Sequence, residues 1–378
     1  MTSSDDRADT SSAATTTTGG PTATPPGRSF ASDNAAGVHP TILEAVTAAN
    51  AGHALAYGED PHTARCEAAF DELFDADVVT RLAFNGTGAN VLALATLMAS
   101  LPGPHHAVVC SSWAHINVDE TAAPERILGT KLIAVPGDDA KVTPERLRAV
   151  GHDLGVVHHA QPGVLSITQP TELGTLYTAA EIAAVCDAAH ELGMLVHLDG
   201  ARIANAAASL GGTREALRAF TIDVGVDAVS FGGTKNGLLG ADAVVFLNRR
   251  AAEGSEYVRK QITQLPSKMR FLAAQFTAAL ADDLWLELGE HSNAMARLLH
   301  QRVAGLPAVD AGAPPMVNSI YPSLPPSVIA PLQAWSFFWD WNAEEHQVRW
   351  MTAWDTTVDD VDAFVAGVTE LADRWANR

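Results

Sequence analysis

The sequence has few basic residues for its length. Its 378 residues include 24 Lys and Arg against 44 Asp and Glu, which gives a formal net charge of −20. A surface of this sign repels DNA, RNA and anionic membranes. We therefore expect no nucleic-acid partner and no membrane partner, and any phosphate that the chain binds must be held by a local site.

Cysteine is scarce as well. Cys66, Cys110 and Cys186 are odd in number, far apart and free of C-x-x-C spacing. This argues against a disulfide framework and against a structural zinc site, and we predict no metal centre. A reducing, cytoplasmic location fits this pattern best.

Long apolar runs are missing too. No stretch approaches the roughly 18 uninterrupted apolar residues of a membrane span. Residues 1–28 are rich in Ser, Thr, Pro and Gly and contain no apolar segment. We expect neither a signal peptide nor an anchor there, but a disordered tail.

Short apolar runs alternate with Ala-rich helical stretches from residue 80 onward. Continuous runs of this kind are typical of strands buried on both faces of a mainly parallel sheet, so the pattern predicts an α/β fold. Residues 177–193 have helical spacing and predict a crossover helix. The predicted strands are "HAVVCSS", "KLIAVPG", "GVLSITQ", "MLVHLDG", "DAVSFGG" and "AVVFLN".

The character of the chain changes after residue 250. A long helical region is followed by the Pro-rich break "LPPSVIAPL" and by a short α+β stretch that closes on a helix. We therefore predict a large domain over residues 29–250, and a helical connection with a smaller C-terminal domain over 251–378.

Three predicted strand ends carry unusual residues, and in parallel sheets such ends form ligand sites. The first is "FNGTGAN", residues 84–90. Backbone N–H groups of Gly86, Thr87 and Gly88 at a helix N-terminus can bind a phosphate. The alternative is a plain glycine turn with a polar helix cap.

The second is "HLDGARIANA", where Asp199 ends a strand and Arg202 follows. The carboxylate can pair with a cationic ring nitrogen, or it can simply cap the next helix.

The third is "VSFGGTKNG", which presents Lys235 among Gly232, Gly233 and Gly237. An exposed loop lysine is the ordinary alternative. A lysine held at a strand end and desolvated has a lowered pKa, which suits it to form a Schiff base.

Taken together, the three strand ends match one molecule with a phosphate, a basic aromatic nitrogen and an aldehyde. Pyridoxal phosphate has all three groups, and proteins bind it with a Schiff-base lysine and an acidic partner for the ring nitrogen. The competing hypothesis is a non-catalytic phosphate-binding protein that uses "GTGAN" alone. That hypothesis leaves Asp199 and Lys235 without a role.

Over about residues 29–375 the sequence resembles the low-specificity L-threonine aldolases, which have the aspartate-aminotransferase-like fold and are close to the β-eliminating lyases. The resemblance implies a large domain with a mainly parallel sheet and a smaller C-terminal α+β domain. The matching words are "SFASDNAAGVHP", "YGEDPHT", "FNGTGANVLAL", "SSWAHINVDETAA", "HLDGARIANA", "SFGGTKNG" and "VRWMTAWDTT".

The resemblance also implies roles for single residues. Lys235 is expected to bond covalently to pyridoxal phosphate, Asp199 to pair with its ring nitrogen, and Gly86, Thr87 and Gly88 to bind its phosphate. His115 is expected to stack on the ring and to transfer protons, and His158 to lie near the substrate hydroxyl. Ser32, Arg202 and Arg349 are expected to bind the substrate carboxylate, since a guanidinium matches a carboxylate bidentately. Tyr57 is expected to reach the site of a neighbouring subunit in a homodimer or homotetramer.

The implied reaction is cleavage of L-threonine, L-allo-threonine or a related L-β-hydroxy-α-amino acid to glycine and an aldehyde. The alternatives are β-elimination or transamination with the same cofactor, or a preference for a bulkier substrate such as phenylserine. The chain reads "TQPTELG" where relatives commonly have "ENTH", and "TAWDTT" where they often have "THxD". These departures concern the substrate pocket, which a tryptophan from residues 335–341 could also shape.

Overall fold

A computed structural model describes residues 19–103, 107–137 and 139–377 of the chain. Residues 1–18, most of the predicted tail, lie outside the described residues. The strands are numbered in chain order: β1 (Val79–Ala83), β2 (Ala107–Ser111), β3 (Lys131–Val135), β4 (Pro162–Thr168), β5 (Leu195–Gly200), β6 (Ala228–Gly232), β7 (Asp242–Phe246), β8 (Ser319–Ile320), β9 (Trp339–Asn342) and β10 (Gln347–Met351).

Helices of widely different length connect these strands. They are α1 (Pro40–Ala49), α2 (Pro61–Phe74), α3 (Gly86–Ser100), α4 (His115–Val118), α5 (Ala123–Leu128), α6 (Pro144–Val150), α7 (Ala179–Glu191), α8 (Ile203–Ser209), α9 (Arg214–Ala219), α10 (Ser255–Gln261), α11 (Arg270–Leu280), α12 (Leu284–Val303), α13 (Pro326–Trp335) and α14 (Val358–Ala376).

The large sheet has the strand order β1-β7-β6-β5-β4-β2-β3. Strands β2 to β6 pair in parallel, whereas β7 is antiparallel to both of its neighbours. The predicted crossover helix is α7, which joins the adjacent parallel strands β4 and β5 and begins with a capping box formed by Thr178 and Glu181. The predicted α/β fold with a mainly parallel sheet is confirmed.

Both faces of the large sheet are covered by apolar side chains. Along β2, Val108 and Cys110 belong to one buried cluster and Val109 belongs to another. Because neighbouring residues of a strand point to opposite faces, burial of both faces requires a continuous apolar run. This is why these strands are apolar throughout rather than alternating.

A second, antiparallel sheet has the order β8-β10-β9. A third buried cluster packs against it, and its centre is Trp350, whose ring lies edge-on to Phe364 of α14 at 5.0 Å between centroids. The small C-terminal α+β unit is built around this cluster.

The N-terminal segment packs against the small sheet rather than the large one. Phe30 stacks on Phe364 with 4.5 Å between ring centroids, and the carbonyl of Phe30 accepts a hydrogen bond from the backbone N–H of Met351 at 2.8 Å. Phe30 therefore belongs to the small-sheet cluster, although it falls within residues 29–250, the range predicted for the large domain.

The predicted disorder of residues 1–28 is wrong for residues 19–28. The backbone N–H of Thr22 donates to Glu370 Oε2 at 2.7 Å, and Trp335 Nε1 donates to the carbonyl of Ala23 at 2.8 Å. Composition favoured a tail, but contacts with α13 and α14 order this stretch.

The helices after residue 250 share the core of the large sheet. Phe231 of β6 lies 6.2 Å from Phe276 of α11 and 5.5 Å from Trp285 of α12, measured between ring centroids. The predicted division at residue 250 therefore does not coincide with a break in the core. In the described part of the chain, no helix is both long enough and apolar enough to cross a membrane.

Candidate active site

The loop after β6 requires glycine because other backbone lies against it. A Cβ atom at Gly232 would stand 2.4 Å from the carbonyl oxygen of Ala201, and one at Gly233 would stand 2.5 Å from that of Ala241. Gly237 has φ +85°, a conformation that glycine adopts most readily. The glycines therefore allow a tight turn that presents Lys235 at the strand end.

Asp242 of β7 holds this turn in place. Its buried carboxylate accepts hydrogen bonds from the backbone N–H of Gly233 at 3.0 Å and from Thr234 Oγ1 at 2.8 Å. Burial, together with the nearby Arg202 guanidinium, lowers the pKa of Lys235. No described residue forms a hydrogen bond or ion pair with the Lys235 amine, so the amine is free to react.

Asp199 lies at the end of β5 and is buried. Its Oδ2 accepts from Asn90 Nδ2 at 2.8 Å, and its Oδ1 accepts from the backbone N–H of Ala201 at 3.0 Å. Both contacts are with neutral donors, so no described cationic side chain forms a hydrogen bond with this carboxylate.

His115 is joined to Asp199 by a short network. Its Nδ1 is 2.9 Å from Glu120 Oε1, and the same oxygen accepts from Asn90 Nδ2 at 2.9 Å. The bond to Glu120 raises the pKa of His115. The ring therefore tends to keep its proton, and its orientation is fixed by the buried glutamate.

The glycine loop before α3 only partly matches its prediction. Asn85 caps the helix, and its Oδ1 accepts from the backbone N–H of Gly88 at 2.7 Å. A Cβ atom at Gly88 would also stand 2.5 Å from Gln264 Cδ. Gly88 thus lies close to the Gln264 side chain, and its N–H donates to the Asn85 cap in this structure. Its predicted contact with a phosphate stays a prediction.

Gly86 and Thr87 remain available at this helix N-terminus. Among the described residues, none accepts a hydrogen bond from their backbone N–H groups. Both line the same cavity as Lys235 and Asp199. Free amides at a helix N-terminus favour an anion.

Arg202 is already paired with a carboxylate. Its Nε and Nη2 donate to the two oxygens of Asp33 at 2.6 and 3.0 Å, and Asp33 also accepts from Asn318 Nδ2 at 3.1 Å. Burial alone would raise the pKa of Asp33, but Arg202 outweighs burial and holds that pKa below its ordinary value. Arg202 is therefore fixed by the protein before any ligand binds.

Arg349 of β10 has no such partner. Its Nη2 donates to the carbonyl of Ala31 at 3.3 Å, its Nε is buried without a partner among the described residues, and its guanidinium lies 5.2 Å from the ring centroid of Trp341. Burial, together with the positive charge of Arg202, lowers the pKa of Arg349. A carboxylate ligand would relieve both effects.

Two adjoining cavities bring most of the predicted residues together. The Asp199 cavity is lined by Gly86, Thr87 and Asp199, and the Arg349 cavity is lined by Ser32 and Arg349. Both cavities are also lined by His115, Glu172, Arg202 and Lys235. The three predicted strand ends and the predicted carboxylate-binding residues thus form one cleft between the two sheets.

Two predicted residues lie elsewhere. His158 is exposed on the loop between α6 and β4 and lines neither cavity. Its predicted position near the substrate hydroxyl stays a prediction. Tyr57 is also outside the cleft, on an exposed surface beside Tyr257 and Lys260. Its contact with a neighbouring subunit stays a prediction.

The sequence analysis missed several residues that support the cleft. Asp33, Asn90 and Glu120 all lie inside the motifs that carried the resemblance, next to residues that were chosen. Their positions within the motifs were a usable signal, since polar side chains are rarely buried without a partner. Glu172 lies in the segment that departs from the relatives, and its position in the cleft came from the structure.

A model of the beta-eliminating lyase family matches residues 29–320. Two curated relatives are both called low specificity L-threonine aldolase. The chain is 41% identical to the one from Pseudomonas aeruginosa over 88% of this chain and 95% of the relative. It is 40% identical to the one from a Pseudomonas sp. over 86% of this chain and 96% of the relative.

A solved structure of similar fold comes from Leishmania major and is described as a threonine aldolase. It superposes with a TM-score of 0.82 at 28% sequence identity and covers 91% of this chain and 99% of the other. A second structure, a putative aromatic amino acid beta-eliminating lyase/threonine aldolase from Exiguobacterium sp. 255-15, has a TM-score of 0.68 at 16% identity, covers 93% of this chain and 97% of the other, and supports the fold alone.

Proposed function

Since the chain belongs to the β-eliminating lyase family, we propose that it is a pyridoxal-phosphate-dependent aldolase that cleaves L-threonine, L-allo-threonine or a related L-β-hydroxy-α-amino acid to glycine and an aldehyde. The observation that carries this proposal is the unpaired amine of the half-buried Lys235 in one cleft with Asp199 and Arg349. The two Pseudomonas relatives, which are named for this activity, support it.

The chemistry of the cleft fits pyridoxal phosphate. A lysine of lowered pKa suits an aldehyde, an aspartate bonded only to neutral donors suits a cationic ring nitrogen, and the free N–H groups of Gly86 and Thr87 suit a phosphate. When bound, this cofactor supplies an electron sink for the pair left on the substrate α carbon. His115 and Arg202 line the same cavity, and we assign His115 to the ring face and to proton transfer.

Arg349 is the principal group for the substrate carboxylate in this proposal. Its guanidinium is unpaired, partly buried and next to Ser32, whose hydroxyl lines the same cavity. Arg202 adds positive charge, but two nitrogens of its guanidinium already donate hydrogen bonds to Asp33. Holding the carboxylate at one fixed point orients the bond to be broken.

We also propose a homodimer or homotetramer with Tyr57 at the neighbouring site. The support is an exposed surface where Tyr57 and Tyr257 are 48% and 70% exposed, unusual for large aromatic rings. Sedimentation at several concentrations tests this, and a monomer at all of them would contradict it. A reducing, cytoplasmic location is supported by Cys66, Cys110 and Cys186, which are all buried free thiols.

The test of the function is a product assay with L-threonine. We expect acetaldehyde and glycine in equal amounts. Ammonia with a keto acid would indicate β-elimination, and a keto acid with an aminated cofactor would indicate transamination. A panel that includes L-allo-threonine and phenylserine, with chiral analysis, then defines the preferred substrate.

The cofactor has a test of its own. A covalent bond between Lys235 and the cofactor gives a visible absorption band that borohydride removes. A colourless protein that still binds phosphate would favour the non-catalytic alternative.

A further inference from the structure

Glu172 lies where the two cavities meet. It belongs to the loop after β4 and lines both the Asp199 cavity and the Arg349 cavity. Its Oε1 accepts hydrogen bonds from the backbone N–H of His115 at 2.8 Å and from Thr168 Oγ1 at 2.9 Å. Its Oε2 is buried and has no hydrogen-bond partner among the described residues.

The loop that carries Glu172 is held from both sheets. Tyr321, which follows β8, donates from its hydroxyl to the carbonyl of Glu172 at 2.9 Å. The backbone N–H of Thr171 donates to the carbonyl of Thr175 at 2.9 Å, and the hydroxyls of these two threonines are 2.6 Å apart. The carboxyl group is therefore held in position. Its Oε1 accepts two hydrogen bonds, and its Oε2 remains without a partner among the described residues.

An unpartnered buried carboxyl oxygen is costly unless a ligand completes its hydrogen bonding. Desolvation by burial raises the pKa of Glu172 to about 7, and the negative charge of Asp199 acts in the same direction. A carboxyl group that titrates near neutrality can both accept and release a proton during turnover.

Two of the three other acidic groups that line these cavities are already engaged, whereas Asp119 is exposed. Asp199 binds Asn90, Glu120 binds His115, and both are on the Asp199 side of Glu172. Asp119, Tyr321 and Arg349 lie on the other side, while Arg202 and Lys235 line both cavities. His115 itself tends to hold its proton, because Glu120 raises its pKa.

We propose that Glu172 is the catalytic residue that takes the proton from the substrate's β-hydroxyl group, through its Oε2. The inference rests on the proposed aldolase function, and it gives Glu172 a role beside the hydroxyl group near which the resemblance placed His158. The O–H electron pair becomes the second bond of the aldehyde carbonyl, the Cα–Cβ bond breaks, and its pair stays on the α carbon. That carbon then receives one proton and becomes glycine, while Glu172 releases one proton to solvent.

Glu172→Gln keeps the shape of the side chain and removes its capacity to exchange a proton. In the holoenzyme we expect L-threonine cleavage to fall by about 100-fold or more, the range of a lost general base. Exchange of the glycine α proton in D2O, followed by NMR, involves no hydroxyl and should stay within about three-fold. The visible band of the bound cofactor should be unchanged. The matched control is Glu191→Gln on the exposed end of α7, which should alter neither reaction.

Cleavage by Glu172→Gln near the wild-type rate would overturn the inference, and so would an equal loss of both reactions. Loss of cleavage in His158→Ala, with Glu172→Gln active, would return the role to the histidine. If the Gln variant does not fold, Glu172→Asp retains the acid at a shorter reach, and an unchanged ratio of cleavage to exchange in that variant overturns the proposal. A wild-type protein that exchanges glycine but cleaves no β-hydroxy amino acid removes the proposed function itself.

Discussion

The two arginines of the cleft come from different sheets and are in opposite states. Arg202, which follows β5 of the large sheet, is bound through two nitrogens to Asp33. Arg349, on β10 of the small sheet, is paired with no carboxylate among the described residues. The protein itself therefore supplies the carboxylate that pairs with Arg202, whereas we propose that the substrate supplies the carboxylate that pairs with Arg349.

This difference distinguishes the Arg202–Asp33 ion pair, which is part of the structure, from Arg349, which we propose binds a ligand. A buried ion pair with its partner present contributes to the integrity of the site, whereas a buried unpaired cation raises the affinity for an anion. Variants on each side should therefore change different measurements.

The largest effect is expected on the large-sheet side, at Lys235. Lys235→Ala should abolish turnover and the visible absorption band, because no other lysine lines either cavity. The measurement is acetaldehyde release from L-threonine. Lys131→Ala, at the exposed start of β3, is the matched control and should behave as wild type. A Lys235→Ala variant with an unchanged rate would exclude the proposed role of this lysine.

Asp33→Asn should destabilise the fold by about 3–5 kcal/mol, because it leaves Arg202 buried without its charge partner. Urea denaturation measures this change. Asp355→Asn weakens a more exposed pair with Arg28 and should cost about 0–1 kcal/mol. Equal losses in the two variants would argue that Arg202 does not depend on Asp33.

The same pair gives a pH dependence with a definite sign. The folded-state pKa of Asp33 is below the ordinary 3.8, so its contribution to stability is present above pH 3.8 and is lost as the pH falls through the folded-state value. The stability gap between wild type and Asp33→Asn should therefore narrow in acid. A constant gap down to pH 2 would contradict the charge pairing.

On the small-sheet side, Arg349→Ala should lower kcat/KM, mainly by raising KM, because a charge-assisted contact with the substrate is lost. The ratio of kcat/KM between wild type and variant should correspond to about 2–5 kcal/mol. The free energy of unfolding should hardly change, since no described carboxylate loses a partner. Steady-state kinetics with L-threonine and urea denaturation give both values. A large loss of stability with normal KM would reverse the contrast between the two arginines.

The smallest effect is expected at Trp341, whose ring lies under Arg349. Trp341→Leu removes the cation–π contact and should raise KM by about two- to five-fold, which corresponds to about 0.5–1 kcal/mol. Trp339→Leu is the control on the same strand, because that ring packs against Phe337 instead. Identical KM changes in both variants would show that the strand, and not the contact with Arg349, sets the effect.

The sequence predicted the large sheet well because its evidence is local. Apolar runs, glycines and helix caps act over a few residues, and the six predicted strand segments became β2 to β7. It also predicted Lys235 and Asp199 in one cleft, since parallel strands end at the same edge of a sheet. It did not predict that Asn85 caps the helix at Gly88 or that the loop of His158 lies outside both cavities.

The positions of these strands along the chain and the chemistry of their ends were thus determined by the sequence itself, because hydrophobic pattern and turn geometry are properties of short segments. The pairing of charges was decided by the tertiary structure. Asp33 and Arg202 are 169 positions apart, and Ala31 and Arg349 are 318 apart. Only the packing of the N-terminal segment onto the small sheet brings these groups together, and it leaves Arg349 and Glu172 with free atoms in the same cleft.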